Sequence, residues 1–202
     1  MLTIVAFMAS GCGSCQSEKA KQEQKDTVIT ASVEDIIATS RQTMYKIADG
    51  NGYKYFETTV KLSEFIDSES QNGDFVEVTN AFQLIIPKDK GYETKVWKIG
   101  VTLDGAFEKE YEGAFYLENF PLNDEKIDLT FKQALERLQQ ANVVKPHNQY
   151  VVLRKPVGPF PCNVQWIFGG SKDAVFVDAV TGDVRTVNPA FYNHDEPLAV
   201  KP

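Results

Sequence analysis

Cysteine and histidine are scarce in this 202-residue chain, with three of the first and two of the second. A zinc site needs a second ligand pair beyond Cys12 and Cys15, and the remaining candidates, Cys162, His147 and His194, are scattered and unpaired. Basic residues are also in deficit: 21 Lys and Arg stand against 28 Asp and Glu, a net charge of −7. That balance argues against nucleic acid as a partner, because neutralising phosphates requires a basic face. No apolar run approaches the roughly 20 residues that span a bilayer as a helix. The serine-nucleophile pattern G-x-S-x-G and the Walker phosphate-binding lysine pattern are both missing. Carboxylates are plentiful, but they lie in solvated runs such as Glu108, Glu110 and Glu112, which alternate on one strand face. The sequence therefore predicts no catalytic residue, no metal ligand and no cofactor.

What the chain does have begins at its start. Leu2 to Met8 is an apolar block, followed by Ala9, Ser10, Gly11 and Cys12. An apolar segment ending in small residues is what a signal peptidase accepts near its cut. A cysteine directly after them resembles the bacterial lipobox, which implies that Cys12 is the lipid-bearing first residue of the mature protein. The alternative reading of Cys12 and Cys15 is a redox pair, which needs a preceding strand and a following helix to lower the thiol pKa. Eleven residues precede Cys12, too few for that unit. Residues 16–26 (QSEKAKQEQKD) are almost devoid of apolar content and read as a solvated tether. As a coil it would reach about 20 Å.

Beyond residue 30 the hydrophobic pattern organises two modules, 31–122 and 123–188, followed by a tail, 189–202. The first opens with a helix over SVEDIIATSRQTMYKI. Ser32 is placed to cap it, and Val33, Ile36, Ile37, Met44 and Ile47 fall on one face. Strands are expected over Lys54 to Leu62, Asp74 to Ile86 with an irregularity at Asn80, and Thr94 to Leu103. Asp104-Gly105 then marks a hairpin into a return strand from Ala106 to Leu117. The second module opens with a helix capped by Thr130 and Gln133, with Phe131, Ala134, Leu135 and Leu138 on its buried stripe. Its strands are expected over Gln149 to Lys155, Asn163 to Phe168, Asp173 to Asp178 and Val184 to Val187. Helix followed by strands, twice over, predicts the α+β class with antiparallel pairing. One shared sheet and two small packed domains are both compatible with this order.

The stretches IDLTFKQALERL (Ile127 to Leu138) and AVFVDAVTGDVRTV (Ala174 to Val187) resemble the PepSY family over about residues 127–187. Its last hairpin carries the pattern matched by Val177, Asp178, Thr181, Gly182, Asp183 and Val184. Here Asp178 can accept hydrogen bonds from turn amides, and Gly182 can take positive φ. The resemblance implies an exported, often membrane-associated module that binds or inhibits peptidases, and it carries no catalytic residues. At fold level alone, the tandem is also similar to beta-lactamase inhibitory protein.

The expectation is thus a non-enzymatic bacterial lipoprotein of the cell envelope, periplasmic or surface-exposed. It would be anchored to the membrane through Cys12 and would bind an envelope protein or peptide. The aromatic candidates for that surface are Tyr111, Phe115, Tyr116 and Phe160, with Phe120 beside them. The alternatives are a small-ligand carrier or enzyme with a pocket between helix and sheet, and a structural envelope protein. Trp97 and Trp166 are expected in the core, and Cys162 as a small buried hydrophobe.

Overall fold

A computed structural model of the chain describes residues 28–111 and 120–191. Cys12, Cys15, the tether through residue 27, Glu112, Phe115, Tyr116 and His194 lie outside the described residues.

The first helix, α1, is Val33–Ala48. Ser32 Oγ accepts the Asp35 amide at 3.1 Å, giving a partner to one donor that the first turn leaves open. Four strands follow: β1 Gly52–Leu62, β2 Phe75–Pro87, β3 Tyr92–Thr102 and β4 Gly105–Tyr111. The second helix, α2, is Phe131–Gln140, and its capping box is complete: Thr130 Oγ1 accepts the Gln133 amide and Gln133 Oε1 accepts the Thr130 amide. Four shorter strands come next, β5 Tyr150–Arg154, β6 Gln165–Phe168, β7 Val175–Asp178 and β8 Val184–Arg185, with a 3-10 turn at Pro189–Phe191.

All eight strands form one antiparallel sheet in the order β4-β3-β2-β1-β5-β6-β7-β8. The protein is mixed α+β. Each helix is followed by a four-strand meander, and the two meanders meet through their first strands, β1 and β5. The question of one sheet or two is answered by Thr58 to Lys61, which pair with Leu153 to Tyr150.

Both helices lie on the same face. Glu34 in the first turn of α1 accepts the Phe131 amide at the start of α2, at 2.6 Å. This gives an open amide an anionic acceptor where the helix dipole favours one. Phe131 stands edge-on against both Phe75 and Trp166, tying β2, α2 and β6 together. Trp166 is buried and its indole N–H donates to Leu129 O at 3.1 Å. Trp97 is partly buried against the same core. The loop between β1 and β2 adds a further stitch, with the Ile66 amide donating to Asn148 O at 2.7 Å.

Two local expectations shift. Thr102 pairs with Gly105, so the hairpin turn is Leu103-Asp104 and Gly105 (φ 123°) opens β4, one residue earlier than the Asp-Gly signal suggests. The irregularity expected at Asn80 is instead a register shift in β1 between Tyr55 and Glu57; β2 runs unbroken through Asn80. The reason is that Asn80 has side-chain partners in the interior and needs no kink to reach water. Pro156 to Pro161 belongs to the loop joining β5 to β6, where missing amide donors do no harm.

Candidate functional site

Strand alternation puts Val151, Leu153, Trp166, Phe168, Val175 and Val177 on the helix side, all buried in the main core. The intervening residues face the other way. Val152 pairs with Ile167 and Ile167 with Phe176, so these three make one row across β5, β6 and β7 on the helix-free face. Ile167 and Phe176 are buried there although no helix among the described residues covers them. They form the floor of a groove of about 760 Å³. Thr186 and Asn188, beyond β8, contribute to one side; Val144 and Lys145, and the β6–β7 turn from Gly169 to Asp173, contribute to another.

Local backbone chemistry fixes that turn. Gly169 sits at φ 90°, and an added Cβ would meet Pro146 at 2.5 Å, so the α2–β5 loop closes directly onto it. The Gly170 amide donates to Asp173 Oδ1 at 3.0 Å, which engages that carboxylate inside the turn. Lys145 and Lys172 stand on this side of the floor. Arg154 stands on the other, one outward position beyond Val152 on β5, and its buried Nε makes no hydrogen bond. Among the described residues the groove thus carries three cationic side chains and one carboxylate in a protein whose net charge is −7.

A second cleft, of about 440 Å³, lies between α1 and β3–β4, with Ile36, Ile99, Val101 and Phe107 giving it an apolar lining. Ser40 borders it and leads into a buried polar chain. Asn80 Nδ2 donates to Ser40 Oγ at 2.9 Å, and Thr58 Oγ1 donates to Asn80 Oδ1 at 2.6 Å. Thr58 has spent its only proton on Asn80, so the short contact between Tyr55 and Thr58 must use the tyrosine proton. Burial pushes the Tyr55 hydroxyl well above its usual value, outweighing the hydrogen bond to Thr58 and the nearby Arg41 cation. The folded state therefore holds this proton where the unfolded chain releases it, and stability is lost as pH rises above about 10. We expect a decline approaching about 1.4 kcal/mol per pH unit there, absent in Tyr55→Phe. Urea midpoints of both proteins between pH 8 and 11.5 measure it; parallel profiles would refute the assignment.

Among the described residues, those singled out from sequence do not converge. Tyr111 ends β4, 37% exposed, with Lys98 and Lys109 over its ring. Phe160 is half-buried in the β5–β6 loop, its amide donating to Ala190 O. From β4 to β5 is four strand spacings, roughly 19 Å. Phe120, 48% exposed, sits instead at Lys155. Glu110 is bound to Lys95 at 2.8 Å. His147 Nδ1 lies 3.0 Å from an Asp67 carboxylate oxygen, and its ring stacks on Phe65. Cys162 is partly buried, its thiol pushed up by burial and directed at Pro156 O. Among the described residues no group of three or more His, Cys, Asp and Glu side chains is placed to hold a metal. No helix of the described residues is long and apolar enough to cross a membrane.

Asp178 does what its place in the last hairpin predicts. It ends β7 and accepts the Val180 and Thr181 amides, both at 2.9 Å, while Gly182 takes φ 80°. Burial pushes its carboxyl up, but those amides and the Asn163 and Gln165 side chains together hold it below the ordinary value.

Sequence reasoning missed the groove. A signal was present: QYVVLRK, NVQWIF and DAVFVD are apolar on both faces, whereas a sheet open to water on one side alternates. Two-sided strands beside lysines mark a second sheltered surface. No family model matches the chain, and no curated protein or solved structure matches it.

Proposed function

We propose that the chain is an exported, lipid-anchored module of the bacterial cell envelope that binds a protein or peptide and performs no catalysis. The observation that carries this reading is the groove on the helix-free face, where Ile167 and Phe176 form an apolar floor between loops with cationic side chains. Apolar floor with a charged rim is how docking surfaces combine affinity with orientation. The anchor rests on the apolar block and small residues before Cys12, with residues 13–30 as the tether. The tandem reading rests on the repeated order of one helix and four strands, and the PepSY-like assignment of the second half on the Asp178 hairpin. Binding or inhibition of a peptidase is the form of docking that this resemblance favours.

The test is photo-crosslinking in the native envelope. A crosslinking residue at Val144, on the groove rim and 90% exposed, is expected to capture one discrete partner. The same residue at Tyr92, 75% exposed in the β2–β3 hairpin, is expected to capture none. Identical adducts from both sites, or none from Val144, would count against the reading. Cys12→Ser should release the protein from the membrane fraction; retention there would remove the anchor.

The cleft between α1 and β3–β4 favours a second reading, a carrier of a small apolar ligand. Mass spectrometry of the native purified protein decides it: a stoichiometric co-purifying lipid or apolar metabolite would support the carrier, and a ligand-free mass would not.

A further inference from the structure

The geometry points to an extended acidic peptide segment, with apolar side chains between its carboxylates, as the occupant of the groove; this inference rests on the binding-module reading above. The floor sets the spacing. Val152, Ile167 and Phe176 are direct cross-strand partners, so the row spans about 10 Å. Alternate side chains of an extended peptide are about 7 Å apart, so two fit along the row. The side chains between them point away from the floor, toward the walls and ends.

The side walls of that row are cationic. Lys145 and Lys172 stand on one side, where the Pro146 loop meets the β6–β7 turn, and Arg154 stands on the other, beyond Val152 along β5. The only carboxylate among the described residues lining the groove, Asp173, already accepts the Gly170 amide. Among the described residues, three cations against one carboxylate give the groove a sign opposite to that of the whole chain, which selects an anionic partner. Arg154 Nε adds a directional requirement. It is buried and makes no hydrogen bond, and a guanidinium accepts a carboxylate through two parallel N–H donors. A peptide carboxylate reaching Arg154 would give that donor an acceptor that the free protein lacks.

Fluorescence anisotropy tests this with three labelled octapeptides, alternating Leu–Glu, Leu–Gln and Leu–Lys. The Leu–Glu peptide should bind at least tenfold more tightly than Leu–Gln at low salt, and the advantage should shrink in 0.5 M NaCl as screening shortens the field's reach. The double variant Lys145→Gln/Lys172→Gln, with both changes in loops, Lys172 exposed and Lys145 half-buried, should keep the wild-type melting temperature and lose most of the preference. Arg154→Gln should lose it too. Equal binding of Leu–Gln, or an undiminished preference in the double variant, would overturn the proposal. Succinate binding as tightly as the Leu–Glu peptide would also overturn it, since the floor would then be irrelevant. If the peptides fail while Val144 still captures a partner, the binding-module reading survives and the acidic-peptide inference falls.

Discussion

Gly100→Ala is expected to destabilise the protein by about 3 kcal/mol or more, at the severe end for adding one methyl group to a packed interior. Gly100 lies in β3 opposite Thr79 of β2 and Phe107 of β4. A Cβ there would stand 2.0 Å from Val78 O and 3.0 Å from Thr79 Cα, both backbone atoms of the neighbouring strand. A side chain in the way could rotate aside, but a paired strand has to move as a unit. The move would pull β3 from β2 under α1, where Ile99 and Val78 are buried in the core. Gly105→Ala is the internal comparison. Its Cβ would meet nothing within 4 Å, and only the positive φ of 123° opposes it, a cost of about 1 kcal/mol or somewhat more. Urea midpoints for the two variants, measured side by side, check the ranking. A Gly100→Ala protein within 1 kcal/mol of wild type would mean that the two strands are not held this close.

What the sequence conveys of this fold follows the range over which each force acts. The starts of both helices were legible to within a residue or two, because their signals are local: Ser32 and Thr130 cap the turn that immediately follows, and the apolar stripe repeats inside each helix. The strands were legible as periods, and their ends shifted by a few residues, because a strand stops where its partner stops. The pairing of β1 with β5 joins residues about ninety positions apart, such as Thr58 and Leu153. No local pattern specifies that, and so one continuous sheet was open until the structure placed it. The candidate site was illegible for a related reason. Aromatics such as Tyr111 and Phe160 attract attention as single residues, yet one ends β4 and the other lies in the β5–β6 loop. Val152, Ile167 and Phe176 look like ordinary core residues until the register aligns them on the uncovered face. Lys145, Arg154 and Lys172 come from three separate segments and acquire meaning only beside that row.

Asn80→Asp is the second large effect, and its size should depend on pH. The exchange is nearly isosteric, and a protonated carboxyl can reproduce the existing pattern. Its carbonyl oxygen accepts from Thr58, as Asn80 Oδ1 does at 2.6 Å, and its hydroxyl donates to Ser40, as Nδ2 does at 2.9 Å. The ionised form has no proton for Ser40 and carries a charge into a site with 0% exposure. Burial must therefore raise the folded-state pKa of the new carboxyl above the unfolded value of about 3.9. From that value upward the folded state holds the proton while the unfolded chain releases it. The sign follows: stability is near wild type below about pH 4, falls as pH rises through the window between the two pKa values, and levels off above it. At pH 7 the expected loss is about 3–4 kcal/mol. Asn80→Ala separates charge from missing hydrogen bonds. It strands Thr58 and Ser40 without adding a titrating group, so its cost should stay constant across the same pH range. Urea unfolding of the three proteins at pH 4, 5.5 and 7 measures the difference. If the penalty of the aspartate variant were as flat as that of the alanine variant, the chain from Tyr55 to Ser40 would have to be open to water, and the sealed interior beneath α1 would be disproved.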